Sequence, residues 1–165
     1  MSNKVLKITK LKSAQNKDFC NLQQQYETEF APITGYKANE EGLFDQEFLI
    51  STWSKQGYDI YLLEINNSPS GFAVVNLSSM ISHDLDARDI AEFFVIPKLR
   101  KQNIGTEFAQ KIFKKYPGKW EVRQLPSLEK ARRFWLKAIQ ACEVKDFHEE
   151  TNNPNWEGFV QRFTV

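Results

Sequence analysis

Apolar residues recur along this chain at two spacings, and each change of spacing marks a new element. Val5, Leu6 and Ile8 lie in a short alternating stretch that predicts a strand. Phe19, Leu22, Tyr26 and Phe30 then fall on one helical stripe, which Pro32 and Gly35 are expected to stop. Phe44, Phe48, Leu49 and Trp53 outline a second, shorter helix ending near Gly57. The stretch YDIYLLEI reads as a strand, and NNSPSG turns it into GFAVVNL, which predicts a hairpin. A polar stretch holding His83, Asp84 and Asp86 leads into a strand over residues 89–96.

The second half repeats this grammar. Ile104, Phe108, Ile112, Phe113 and Tyr116 line one helical face, with Pro117 and Gly118 as the stop. Residues 120–125 read as a strand, and Ser127 after Pro126 is the expected N-cap of the next helix. That helix should bury Leu128, Ala131, Phe134, Trp135, Ala138 and Ile139. Two strands close the pattern, over residues 144–148 and 156–164. The order β-α-α-β-β-β-α-β-α-β-β predicts an α/β chain with helices packed on a mixed sheet. No repeat or linker divides it, so residues 1–165 are expected to form one domain.

Composition narrows the classes of function. Lys and Arg number 22 against 21 Asp and Glu, so no overall field draws the chain to nucleic acid or to an anionic membrane surface. No stretch approaches the roughly 20 apolar residues of a membrane-spanning helix. The start, MSNKVLKITK, lacks the apolar core of a signal peptide. Cys20 and Cys142 have no metal-ligand spacing and sit in helical patterns, which suits a reducing compartment. A cytoplasmic protein is the expectation.

The chemistry concentrates in residues 92–105, EFFVIPKLRKQNIG. An apolar strand meets a proline, then a basic loop, then a glycine in the first turn of an amphipathic helix. This grammar sets a row of backbone N–H groups and the positive end of a helix beside Arg100 and Lys101, a setting for a phosphate-bearing ligand. Gly105 brings no side chain to block a ligand approaching the first helical turn. Because the helix follows the strand directly, its start lies at the carboxyl end of the sheet, where ligands of α/β proteins bind. Neither G-x-G-x-x-G nor G-K-[ST] is present, so the dinucleotide fold and the P-loop are excluded on spacing.

This segment resembles motif A of the GNAT superfamily of acetyl-CoA-dependent N-acetyltransferases, whose usual form is V-x-P-x-x-R-x-x-G-x-G. Val95, Pro97, Arg100 and Gly105 match it position by position, and Asn103 stands where the first glycine is usual. Asn tolerates positive φ better than most residues. Downstream, KWEVRQLPSLEKARRFW is similar to the following GNAT segment, a strand and an N-x-x-A-x-x-F-[YW] helix. There Ala131, Phe134 and Trp135 match while Leu128 replaces the Asn. The resemblance is closest to a bacterial branch of acetyltransferases with EFFV, PGxW and FW landmarks.

The resemblance implies a GNAT-like fold: a mixed, mostly antiparallel sheet of about six to seven strands, splayed at its centre, with helices on both faces. It implies acetyl-CoA as cosubstrate and an amine as acceptor. The pyrophosphate would rest on the N–H groups of Lys101, Gln102, Asn103, Ile104, Gly105 and Thr106, with charge added by Arg100 and Lys101. The pantetheine arm would pair with the main chain along Phe93 to Ile96, through Phe94 and Val95, and one N–H near Val95 could polarise the thioester carbonyl. Trp135 occupies the place of the usual general acid, a Tyr. An indole N–H cannot supply a proton at neutral pH, which leaves Trp135 core packing and a contact to the pantetheine end. The resemblance also leaves room for a homodimer built through the C-terminal strands.

Glu92 is the expected general base, because strand alternation sets it on one face with Ile90, Phe94 and Ile96, where burial would lift a carboxyl toward a useful range. Asp89 and the loop residue His83 are weaker candidates. Tyr36, after Gly35 and beside Glu40 and Glu41, is the candidate for facing an acceptor amine. The function expected is acetyl transfer to a primary amine of a small molecule or protein. The absent Tyr motivates an alternative, a non-catalytic acyl-CoA-binding module of the same fold.

Overall fold

The computed structural model describes residues 4–165, so the first three residues of the MSNKVLKITK pattern lie outside the described residues. The elements follow the expected order: β1 (Leu6–Lys10), α1 (Lys17–Thr34), α2 (Gln46–Trp53), β2 (Tyr58–Ile65), β3 (Ser68–Asn76), β4 (Ala87–Val95), α3 (Ile104–Phe113), β5 (Lys119–Gln124), α4 (Glu129–Gln140), β6 (Lys145–Asn153) and β7 (Trp156–Thr164). The strands form one seven-stranded sheet in the order β1-β2-β3-β4-β5-β7-β6. Pairing is antiparallel for β1 with β2, β5 with β7 and β6 with β7, and parallel for β4 with β5. That parallel register covers three residue pairs, Ala87↔Lys119 to Asp89↔Glu121, whereas β4 continues to Val95 and β5 to Gln124. Among the described residues no helix is long and apolar enough to cross a membrane.

By contacts the chain divides into two compact units. The first comprises residues up to Val74 together with Glu92–Lys98, and the second Val75–Ala91 together with Leu99–Val165. In the first unit, the Asn16 side chain starts α1 by accepting a hydrogen bond from the Phe19 N–H at 3.0 Å. Phe19 and Leu22 are buried, and the Phe19 ring meets Phe72 of β3 edge-on at 5.1 Å. Pro32 does not stop this helix: it lies inside the last turn, where its missing N–H costs a single ladder bond. The stop is Gly35, left-handed at φ 73°, whose N–H reaches the Ala31 carbonyl at 2.9 Å. Gln24 then ties the loop to α1, accepting from the Phe44 N–H and donating to the Phe44 carbonyl.

The β2–β3 hairpin turns on two residues, Asn66 and Asn67, both at positive φ (51° and 62°), the conformation that matches the twist of a tight hairpin. Ser68 to Gly71 therefore belong to β3 rather than to the turn. From Ser70 to Asn76 every residue is buried, as expected of a strand covered on both faces. Gly71 permits a close approach: a Cβ there would sit 2.3 Å from the carbonyl oxygen of Phe94. Further along α1, half-buried Glu27 has its carboxyl pushed up by desolvation.

In the second unit, Phe113 is the hub of the core, edge-on to Trp120 at 4.9 Å and to Phe163 at 5.0 Å. Phe108, Ile112 and Ile139 of the same unit are fully buried, each worth about 2 kcal/mol in water-excluded apolar area. Helix α3 ends earlier than its apolar stripe suggests. Tyr116 lies beyond Phe113 in a turn, and its carbonyl accepts from the Trp120 indole at 2.9 Å. Ser127 is not the cap of α4 either: Leu128 occupies the N-cap, without a side-chain bond to the first turn. Ser127 precedes the helix by one residue too many.

Gly71→Ala should force the main chain at Phe94 and Val95 to move and cost about 2 kcal/mol, read as a fall of roughly 4–8 °C in melting temperature. Glu27→Gln should stabilise at pH 7. A raised folded pKa means the ionised carboxylate opposes folding, and that cost appears as pH rises from the unfolded through the folded pKa. The gain in melting temperature should therefore vanish in titrations taken below about pH 4.

Candidate functional site

The loop that leaves β4 is set by its backbone. A single 3-10 turn, Pro97–Leu99, follows the strand, and the loop then takes positive φ at alternate residues, Lys101 at 60° and Asn103 at 65°. Left-handed residues in such alternation turn successive N–H groups toward a common focus, the conformation of an anion-binding nest. Asn103 adopts it readily, while for Lys101 it costs about 1–2 kcal/mol. Asn103 is also the N-cap of α3, yet its side chain makes no cap bond, whereas Asn16 and Asp45 close the starts of α1 and α2 with theirs. The first turn of α3 thus presents N–H groups toward the loop, with the positive end of the helix behind them.

Side chains agree with this arrangement. Arg100, Lys101, Gln102 and Asn103 are exposed, Gly105 is half-buried, and Ile104 and Thr106 are buried and anchor the turn to the core. The residues expected to receive a pyrophosphate are therefore contiguous around one helix start. Trp135 is elsewhere. Its ring is buried, 6.1 Å from Phe113 and 5.0 Å from Phe134, and Phe113 stands nine residues down α3 from Ile104. That is about 14 Å along the helix axis. Core packing accounts for this Trp.

In the first unit, Phe94 and Val95 bury their side chains, and the Phe94 ring lies 5.9 Å from both Tyr26 and Phe72. What these two residues can offer a ligand is main chain. Glu92 is half-buried, and the Tyr26 phenol of α1 donates a hydrogen bond to its Oε2. Tyr26 is itself wedged by Phe30 at 4.4 Å and Phe72 at 5.7 Å. Reading the sequence counted Tyr26 as one more member of an apolar stripe. Its hydroxyl was the available signal, because a phenol within an aromatic core needs a polar partner.

The other candidates separate from this pair. Asp89 is fully buried and committed: its carboxylate accepts from Arg123 at 2.9 Å, from the Met80 N–H at 2.9 Å and from Asn76 at 3.3 Å. Desolvation pushes its carboxyl up against the pull of Arg123. Neighbouring Glu121 likewise takes hydrogen bonds from Arg162 and Ser79. These carboxylates fasten the loop before β4. His83 is exposed in that loop at φ 57°. Tyr36 lines an open cavity of about 570 Å³ with Leu43, Phe44 and Phe48, where Lys37 and Asp45 also contribute, and Glu40 and Glu41 are exposed nearby in the chain.

Comparison with known proteins adds to this geometry. No family model matches the chain, and no curated protein matches its sequence. Solved structures do match over almost its whole length. An N-acetyltransferase named PaiA from Thermoplasma acidophilum, in complex with coenzyme A, superposes with a TM-score of 0.63 at 14% identity, covering 98% of this chain and 99% of that one. A GNAT-family acetyltransferase from Staphylococcus aureus gives 0.62 at 11% identity, with 97% and 99% covered. A ribosomal-protein alpha-N-acetyltransferase, also in complex with coenzyme A, gives 0.61 at 11% identity, with 97% and 93% covered. With seven mostly antiparallel strands, a parallel pair at β4–β5 and full-length superposition on these enzymes, the chain has the fold of the GNAT acetyltransferases.

Proposed function

We propose that this chain moves an acetyl group from acetyl-CoA to a primary amine of a small molecule or protein, by direct transfer. The observation that carries the reading is the loop after β4, with left-handed Lys101 and Asn103 and a helix start that Asn103 leaves uncapped. A fold shared with coenzyme A complexes supports the same ligand. In this reading the N–H groups of residues 101–106 receive the pyrophosphate. The guanidinium of Arg100, whose planar fork matches two phosphate oxygens, and the ammonium of Lys101 add charge.

The loop continues the strand, so the pantetheine arm is assigned to the main chain of residues 93–96. Amide pairing there suits a segment in which Phe94, Val95 and Ile96 bury their side chains. A main-chain N–H near Val95 is assigned to the thioester carbonyl, where it stabilises the charge that develops on oxygen. Glu92 is assigned as the base that takes the proton of the acceptor amine, directly or through one water. The thiol of coenzyme A, with a pKa near that of Cys at about 8.5, leaves as a thiolate that water can protonate, so Trp135 need supply nothing.

Acetyl-CoA at one hundred times its Kd should add about 2.7 kcal/mol of stability, a rise of roughly 5–10 °C in melting temperature. Gly105→Glu, which sets a carboxylate at the helix start, should abolish that rise, and an unchanged melting temperature of the unaltered chain at millimolar acetyl-CoA would refute the reading. Glu92→Gln should lower kcat by about one hundredfold while the thermal shift with acetyl-CoA persists. A thermal shift without thiol release from any primary amine would favour an acyl-CoA-binding module over an enzyme.

A further inference from the structure

We propose that Tyr26 is a positioning residue for this acetyl transfer, fixing the direction in which the Glu92 carboxylate meets the acceptor amine. The proposal rests on the assignment of Glu92 as the base and adds a residue from a different part of the chain. Tyr26 stands 66 residues before Glu92, and its phenol donates to Glu92 Oε2. A Glu side chain on a strand has three rotatable bonds, and a hydrogen bond to its carboxylate narrows the directions it samples. The anchor here is stiff. The Tyr26 ring is fixed by Phe30 at 4.4 Å, by Phe72 at 5.7 Å and by Phe94 at 5.9 Å, and Phe94 lies on the same strand as Glu92.

Charge follows the same geometry. A phenol keeps its proton at neutral pH, with an ordinary pKa of about 10, so it donates to Glu92 rather than competes for the amine proton. A donated hydrogen bond favours the ionised carboxylate, the form able to accept a proton. The three rings around the phenol carry no charge. Glu27, the next residue of α1, has its carboxyl pushed up by desolvation. In the transfer step the amine nitrogen forms the N–C bond and the C–S bond breaks with its electron pair on sulfur. The proton of the nitrogen passes to Glu92, and Tyr26 retains its own.

Tyr26→Phe keeps the ring stack and removes only the hydroxyl. The titration midpoint of Glu92, followed by carbon-13 NMR of its side-chain carboxyl, should rise by about half a unit to one unit, and 3-fluorotyrosine at position 26, a stronger donor in the same shape, should move it down. Thiol release from acetyl-CoA would be measured with benzylamine, 1,4-diaminobutane and an alanine-initiated tripeptide. There Tyr26→Phe should lower kcat about tenfold, leave KM for acetyl-CoA within about twofold, and displace the acid limb of the pH profile upward. The double variant Tyr26→Phe/Glu92→Gln should be no slower than Glu92→Gln alone. An unmoved Glu92 midpoint in both position-26 variants overturns the proposal whatever the activity. So does a double variant whose loss is the product of the two single losses. Full turnover in both Glu92→Gln and Tyr26→Phe removes this pair from the reaction while leaving acetyl-CoA-dependent transfer standing. No thiol release by the unaltered chain from any of the three amines overturns the pair's role together with the transfer reading.

Discussion

The parallel ladder between β4 and β5 closes after three residue pairs, and the rest of the arrangement follows from that short register. A strand pair of opposite direction can be closed by a two-residue turn, as Asn66 and Asn67 do for β2 and β3. A parallel pair needs a crossover, and the crossover here is the segment holding the Pro97 turn, the left-handed loop and α3. The chain must therefore leave β4 at its carboxyl end and enter a helix at once. The start of that helix, with N–H groups that no carbonyl of its own turn can take, follows the strand within a short stretch of chain. The pyrophosphate site proposed above uses such a start, where the Asn103 side chain makes no cap bond.

Much of this was legible in the sequence because it depended on local rules. The order of elements followed from spacing, and the left-handed turn at Asn103 followed from what Asn tolerates. The errors came where two local rules competed. Pro32 is a helix breaker in general, but so near the end of α1 it removes one bond while Gly35 supplies the actual stop. Tyr116 fits the apolar period of α3, yet its carbonyl is claimed by Trp120 from outside the helix. Ser127 is a good cap type, and the helix simply starts after the following residue.

The site was only half legible for a different reason. The loop proposed to receive the pyrophosphate is contiguous in the chain, so local sequence rules cover all of it. The carboxylate chemistry is not contiguous. Asp89 and Glu92 are three residues apart and similar on paper, but Arg123, Met80 and Asn76 hold the first, while Tyr26 reaches the second. Those partners come from distant stretches of chain, and no periodicity announces them. A hydroxyl within an otherwise apolar stripe is the one local hint, and it identifies a residue in need of a partner without saying which.

The division of the chain into two compact units has a consequence for modularity. The backbone crosses between them three times, after Val74, after Ala91 and after Lys98, and the first two crossings fall inside β3 and β4. No single cut in the chain yields both units whole. A fragment ending at Val74 lacks the Glu92–Lys98 part of its own unit, and one beginning at Leu99 lacks Val75–Ala91. Neither unit can be exchanged with a relative by one recombination event, nor fused to another protein as a contiguous module. Substitution and loop insertion leave both units whole, because neither requires a cut between them.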